Sequence, residues 1–540
     1  MRKNFINIFF ALGVIIVQTS CKKFLEPLPD NRAELNNEDK IAKMLVSAYP
    51  SGNYIVAAEW ASDNTDDIEN LKPYSQRFSD EIFNWQPSTV VSNNDGLDRL
   101  WSQSYISIAS ANAVLQAIQE SANPESLNAQ KGEALIARAY NHFILVNMFS
   151  QAYSKKYSET DLGITYMTKG ETTLNPSYQR NSVKEVYDFI VKDLEEGIPL
   201  IDDAAYANSS VAKYHFNKNA AYTFAARVHL FMENWQKAEE YASLALGANP
   251  SAYNRNNSYI ASFGTTWGNV TREYNASSDK ANFLLAAPVS SGGTEMGPYT
   301  PSSPGVGVSN RYGYSWMIGY TEGAFARPPF YDQPIASLPA ADTRYRIRSF
   351  RYDSSTLHKF LFPRISYQFE YTDPVARIGY SRCVWGPLTS EEALLIRAEA
   401  NVHLKNYTEA LADMQLWTTN TVTLTYTLTE ANINEWANSF AYYTPEKPTP
   451  KKKFNADFII EPGTQESMLH AILYMRRHQF QGQGMRWFDV KRYGIEIYRR
   501  TVRGRETVVS VNDKLEIRDK RRAFQLPQDV IDAGLTPNPR

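Results

Sequence analysis

The chain has 540 residues, more than one small core can organise, and its 43% hydrophobic and 21% charged residues give the balance of a globular protein rather than a disordered one. A formal net charge of −2 supplies no overall field to draw nucleic acid or an anionic membrane. With two cysteines, Cys21 and Cys383, no disulfide framework is expected, and the fold must stand on its core.

At the N-terminus, Arg2 and Lys3 precede a mostly apolar stretch from Ile6 to Val17. That stretch is shorter than the roughly 20 residues a membrane-spanning helix needs, and fits the apolar core of a signal peptide over 1–20. It ends at Val17-Gln18-Thr19-Ser20-Cys21, which resembles a bacterial lipobox, looser at Val17 and Gln18 than Leu-small-small-Cys. The expectation is that the Cys21 thiol is lipidated and that cleavage leaves Cys21 as the new N-terminus. Residues 21–37, polar and carrying Pro27 and Pro29, read as a tether, and 38–540 as a single folded unit.

Trp101, Tyr105, Ile108, Asn112, Leu115 and Ile118 recur at helical spacing, and Gly132 to Phe149 follows as a second helix, giving a hairpin over about 100–150. Ser182-Val183-Lys184-Glu185 has the form of a capping box and opens a second group over about 180–246. Within it, an Ala-rich helix to Phe231, a turn at Glu233-Asn234 and a helix from Trp235 with Ala238 repeat in kind at about 389–417. There Thr389 to Glu392 is again a capping-box pattern, Lys405-Asn406 a turn, and Tyr407 stands three residues before Ala410. An aromatic knob three residues before an Ala hole is tetratricopeptide logic. An insertion of about 250–387 separates the two units. Its Ser/Gly/Pro-rich stretch 290–309 excludes helix, while Arg346–Phe350 and Phe360–Phe369 alternate as short strands do. Tyr442–Phe454 reads as irregular and Gln465–Tyr498 as helix.

Chemical motifs are scarce. None of the seven His belongs to an HExxH, and CxxC, GxSxG and GxxxxGK[ST] patterns are missing, so neither a catalytic residue nor a metal ligand is expected. His142, His229 and His403 read as structural. The run Asp63-Asn64-Thr65-Asp66-Asp67 lacks EF-hand spacing and reads as a solvated loop, with a cation site the lesser alternative. The basic residues of Arg476–Arg505 and Lys514–Arg522 alternate with apolar ones at helical spacing and read as a solvated or ion-paired face rather than a nucleic-acid site. Sugar rings want aromatic platforms beside polar donors and acceptors. Two places offer them: Tyr74, Arg77 and Trp85, and the loop cluster Tyr312, Tyr314 and Trp316.

Four segments together resemble the SusD/RagB family of outer-membrane nutrient-binding lipoproteins. They are Trp101 through Tyr105 to Asn112; Ala137-Arg138-Ala139-Tyr140 with Phe143; the two tetratricopeptide-like units; and Arg476-Arg477 through Arg486-Trp487-Phe488-Asp489-Val490-Lys491-Arg492-Tyr493-Gly494. Ala523 to Gln528 resembles the family's closing segment. The chain departs from the pattern at Met475, at Gln483-Gly484 and in its Asn538-Pro539-Arg540 end. The resemblance implies a mainly α fold, a right-handed scaffold of tetratricopeptide-like hairpins with a loop-rich insertion holding a few short strands. It implies an anchored protein at the outer membrane, facing the exterior, without cofactor, that captures oligosaccharide for a SusC-like TonB-dependent transporter. Oligopeptide capture in the RagB manner, an exported glycoside hydrolase and a periplasmic scaffold are the alternatives.

Overall fold

The computed structural model describes residues 38–68, 76–91, 93–171, 176–297, 310–323, 325–334, 337, 350–355, 357–422 and 426–540. The expected signal peptide, Cys21, the tether, Tyr74, residues 298–309 and the expected strand at 346–349 lie outside them.

The helical part runs from α1 (Glu38–Leu45) and α2 (Ile55–Ala61) through α3 (Arg77–Phe83) to the hairpin α4 (Leu97–Glu120) and α5 (Asn128–Phe149). Every residue of α5 from Gly132 to Phe149 is buried, so this helix is the axis of the core. It crosses α6 (Val183–Gly197) where Gly132 meets Gly197: a Cβ on Gly132 would come within 2.8 Å of the Gly197 carbonyl oxygen, and one on Gly197 within 3.0 Å of that of Gly132. The Ser182–Glu185 capping box is formed in both directions. At this crossing Arg138 binds both carboxylate oxygens of Asp193 at 2.7 Å and the Asn112 side-chain oxygen at 2.8 Å. Two of the family-like segments thus meet in one buried contact.

Helices α7 (Lys218–Phe231) and α8 (Trp235–Leu246) form the first tetratricopeptide-like unit. The insertion that follows holds α9 (Trp267–Tyr274) and α10 (Gly292–Glu295), the latter a single turn within the stretch expected to exclude helix. Then come α11 (Ser390–His403) and α12 (Tyr407–Thr421), the second unit. Although the insertion separates them in sequence, α8 packs directly on α11. Trp235, the knob of the first unit, stacks on His403 of the second, ring centroids 3.8 Å apart, while Ala238 and Ala410 are fully buried. Thr389 caps α11 by accepting from the Glu392 N–H, but the Glu392 carboxylate does not close the box. It faces Arg227 of α7 instead, with Nε to Oε1 at 2.6 Å.

Helices α13 (Glu430–Asn438), α14 (Thr464–Gln479) and α15 (Met485–Arg492) complete the bundle. The expected helix over Gln465–Tyr498 breaks at Gly482 and Gly484, both at positive φ, and ends at Arg492.

Two small sheets pack at one side. The first has the order β4 (Tyr352–Ser354), β5 (Lys359–Leu361), β3 (Tyr312–Ser315), β1 (Asp66–Asp67), β8 (Ile497–Arg503), β9 (Thr507–Leu515). The second has the order β2 (Asn282–Ala286), β7 (Ile378–Thr389), β6 (Ser366–Asp373). The architecture is mainly α with a few short strands, as the sequence indicates. The β8–β9 hairpin lies where the reading gave helix up to Tyr498 and nothing beyond.

A sheet-edge surface of aromatic and charged groups

Residues more than 400 apart in sequence build the floor of the first sheet. The acidic run Asp63–Asp67 is neither solvated nor arranged as a cation site, because arginines fill the space around it. Arg486 is bidentate to Asp63 at 2.8 and 2.9 Å, and Arg500 is bidentate to Asp66 at 3.0 Å. Arg311 holds Asp67 through Nε at 2.6 Å. Glu322 takes Arg500 at 2.7 Å and Lys452 at 2.6 Å. Burial pushes the Lys452 amine down to about 8, against the pull of Glu322. For Asp63, the cations Arg477 and Arg486 outweigh burial and hold the carboxyl well below its usual range. From Arg476 to Arg500 the basic residues are therefore a buried and largely ion-paired seam, the ion-paired of the two readings, while Arg503 and Arg505 are exposed. Its sequence pattern looks amphipathic because apolar and arginine positions both point inward.

This seam positions β3. Asp66 and Asp67 pair antiparallel with Gly313 and Tyr312, and the Ser315 hydroxyl donates to Asp66 at 2.6 Å. At the end of β3 the chain enters a turn of wide helix, Ile318–Glu322, and Trp316 emerges half-buried at the sheet rim. Its indole Nε1 donates to Asp353 at 2.8 Å and its main-chain N–H to the His358 carbonyl at 2.7 Å. The His358 ring stacks on it at 4.4 Å, held by a backbone at φ 51°. Tyr320 stands edge-on at 6.4 Å. Arg505, exposed at the Gly504 turn of the β8–β9 hairpin, lies 4.1 Å from the centre of the Tyr320 ring and 5.0 Å from that of Trp316. Asp353 is exposed as well. Half-exposed rings, a guanidinium, an imidazole and a carboxylate thus share one rim.

Of the aromatics singled out in the sequence, Trp316 alone among those described lies at this rim. Tyr312 is buried, stacked at 4.2 Å on Phe83, with its hydroxyl donating to Asp80 at 2.6 Å. Tyr314 is buried against Phe362 and accepts from Gln481 at 3.1 Å. Alternation along β3 turns both rings into the protein. Trp85 is buried too, with its Nε1 donating to the Ala61 carbonyl at 2.9 Å and Arg499 stacked 3.9 Å from its ring. Arg77 is exposed and pairs with Glu81 at 2.9 Å. Tyr320, Asp353, His358 and Arg505 were not singled out as site residues. The available signal was the Arg503-Gly504-Arg505 turn between two alternating runs, a hairpin pattern.

A second solvent-facing surface is the β6–β7 hairpin, where Tyr371, Ile378 and Tyr380 are each more than half exposed and Phe369 is exposed as well. A small cavity lies elsewhere, beside Glu233, Asp457, Lys491 and Arg518. Lys491 there donates to the Asn147 and Ser150 carbonyls, and burial pushes its amine down to about 7. Among the described residues there is no group of three or more His, Cys, Asp or Glu able to hold a metal, and no helix long and apolar enough to cross a membrane.

A family model for SusD-like proteins, described as starch-binding and associating with the outer membrane, matches residues 23–230. A SusD-like protein of Formosa agariphila is 25% identical over 266 residues, which is 46% of this chain and 47% of that protein, so the match spans about half the relative's length. A solved SusD superfamily protein of Bacteroides thetaiotaomicron superposes with a TM-score of 0.59 at 18% identity, covering 93% of this chain and 99% of that one. A SusD-like carbohydrate binding protein of Bacteroides vulgatus gives a TM-score of 0.54 at 16% identity, covering 92% and 96%. At such identities the structures speak for the fold, which they share over almost the whole length, while the family match covers residues 23–230, where the chain is similar to SusD-like proteins.

Proposed function

We propose that this protein is a non-catalytic binding protein of the outer-membrane surface. It captures oligosaccharide at the Trp316 rim and passes it to a partner TonB-dependent transporter of the SusC type. The observation that carries the reading is the rim itself. Trp316 and Tyr320 offer apolar ring surface, and Asp353, His358 and Arg505 surround it with the donors and acceptors that sugar hydroxyls need. The starch-binding, outer-membrane description of the matching family supports the same ligand class. Lipidation at Cys21 and a tether over residues 22–37 supply the anchoring. Arg77, at the exposed start of α3, is a further candidate contact; Trp85, Tyr312 and Tyr314 support the sheet from within.

Calorimetric titration of neutral and acidic oligosaccharides, with Trp316→Ala in parallel, tests this. Saturable binding by the wild type, at least tenfold weaker in the variant and with the sugar recovered intact, is the expected result. Affinity unchanged by Trp316→Ala rejects the rim, and shortened sugar rejects the non-catalytic reading. Binding of peptides alone favours the oligopeptide alternative. Replacing Cys21 by Ala tests the anchor: the variant is expected in the aqueous phase of a detergent partition, and its retention with the membrane refutes lipidation.

A further inference from the structure

The buried arginines of this molecule are matched by partners almost without exception. Arg138, Arg227, Arg255, Arg486 and Arg500 each have a carboxylate within 3.0 Å. Arg499 has no such carboxylate and donates to main-chain carbonyls, those of Trp60, Ala61 and Ser62 among them; Arg522 donates to carbonyls as well, that of Ile495 included. Arg364 breaks the pattern. It lies between β5 and β6, its exposure is 0%, and Nε, Nη1 and Nη2 all lack a hydrogen-bond partner among the described residues. Two aromatic rings flank it, with the guanidinium carbon 4.9 Å from the centre of Tyr274 and 5.6 Å from that of Phe350.

A guanidinium keeps its charge at any pH the protein meets, so it cannot relieve its burial by losing a proton. Ring faces attract the cation but accept none of its five in-plane N–H groups in a full hydrogen bond. An isolated buried cation costs many times what such contacts return. His478 lies close enough for Arg364 to press its imidazole down, in addition to the larger effect of burial, and both keep it neutral. On the same Tyr274 ring Arg255 lies 4.0 Å from the centre but is matched by Glu391 at 2.6 Å and Asp279 at 4.0 Å, so among the described residues the unpaired charge is that of Arg364. A second orphan adjoins it. Asn275 donates through Nδ2 to the Arg364 carbonyl at 3.0 Å, while its Oδ1 has no partner among the described residues.

We propose that the Arg364 guanidinium binds a small inorganic monoanion of the halide class, held inside the insertion as a structural part of the fold. One unpaired guanidinium calls for a monoanion. Zero exposure beneath two aromatic rings excludes a sugar acid or a peptide carboxylate. The site is separate from the Trp316 rim and does not depend on the function proposed for it.

The experiment uses the whole chain. Crystals soaked in sodium bromide are expected to show an anomalous peak within hydrogen-bond distance of the Arg364 guanidinium. In solution, replacing gluconate by chloride at constant ionic strength is expected to raise the wild-type Tm by about 1–3 °C. Arg364→Met, close in volume and uncharged, is expected to lose that halide response. Ordered water alone at Arg364 without a bromide peak overturns the proposal, as does an equal chloride response in wild type and Arg364→Met. Should Arg364→Met fail to fold, the bromide map of the wild type decides alone, with Arg364→Lys expected to keep a halide-dependent Tm.

Discussion

Glu295 and Asp95 are two carboxyl groups that nothing in the sequence marks. Glu295 stands in a Ser/Gly-rich stretch and Asp95 in the turn before α4. Asp95 accepts from the Ser290 hydroxyl at 2.5 Å and the Ser291 N–H at 2.9 Å. Burial raises Asp95 to about 6, and burial with the neighbouring Asp95 charge raises Glu295 to about 7. Lys359, Asn310 and Gln76 pull Glu295 the other way, as Arg99 pulls Asp95, without reversing either shift. A carboxyl raised in the folded state holds a proton that the unfolded chain has already released. Its contribution is complete below the unfolded value and is lost as pH rises through the folded one. The contribution of this pair is therefore expected to fall between about pH 4.5 and pH 7, with Glu295 accounting for on the order of 1–3 kcal/mol. Against it stand His142, His229 and His403, which burial holds neutral and whose contribution rises over the same range. Glu295→Gln is expected to remove the falling part and so to change the difference in stability between the two ends of the range. Urea midpoints at pH 5 and pH 8 measure it, and an unchanged difference in the variant refutes the assignment. The pair was invisible beforehand because each shift depends on what a distant segment places around the carboxyl.

Among the elements, helices were the more readable part, while of the strands the alternation over Phe360–Phe369 answers to β5 and β6. A period of 3.6 over Trp101–Gln119 or Gly132–Phe149 is a local signal many residues long, and the capping pattern at Ser182 formed as written. The strand β1, by contrast, has two residues and lies inside an acidic run; it exists because β3 and β8 flank it and arginines neutralise it. The capping box at Thr389 was half right, because Arg227 outcompetes the cap for Glu392. Alternation puts Tyr312, Tyr314 and Trp316 on one side, and Trp316 parts from the two buried rings because β3 ends at Ser315, which is why the aromatic cluster was legible and its half-exposed member was not. The β6–β7 hairpin shows the converse, an element with little packing beneath it. Val375 at its turn is 96% exposed, and Phe369 and Tyr371 meet chiefly each other at 4.9 Å. Replacing Phe369, Tyr371 and Tyr380 together by Ser is expected to change global stability by less than about 1 kcal/mol, since little apolar area leaves the core. A loss of several kcal/mol in guanidinium melts would mean that the hairpin packs against the body.

The whole molecule is stitched end to end. The chain from Asn53 to Asp67 lies between α14, α15 and β8: Arg477 takes Asn64 at 2.7 Å, Gly482 and Gly484 donate to Glu59, and Arg499 collects the carbonyls that close α2. At the far terminus, Asn538 donates to the carbonyls of Phe149 and Phe524 at 2.8 and 2.7 Å. The segment that matches the family model, 23–230, thus contains acids whose counter-ions lie beyond residue 450. Removing one partner of a buried pair strands the other charge and costs about 3–5 kcal/mol. Arg486→Met in the full chain is expected to lower stability by less than that, about 1–3 kcal/mol, because Asp63 keeps Lys452 at 3.6 Å and Arg477 at 4.0 Å. A chain ended at residue 230 loses Arg477, Arg486, Arg499 and Arg500 together, a deficit beyond the roughly 5–15 kcal/mol by which domains are stable. It is expected to show no cooperative melt by circular dichroism, whereas the full chain melts once, with tryptophan fluorescence and far-ultraviolet signals coinciding. A cooperative transition in the truncated chain would show that the N-terminal hairpins fold without the arginine seam and would divide the molecule into two units where the interlocked ion pairs argue for one.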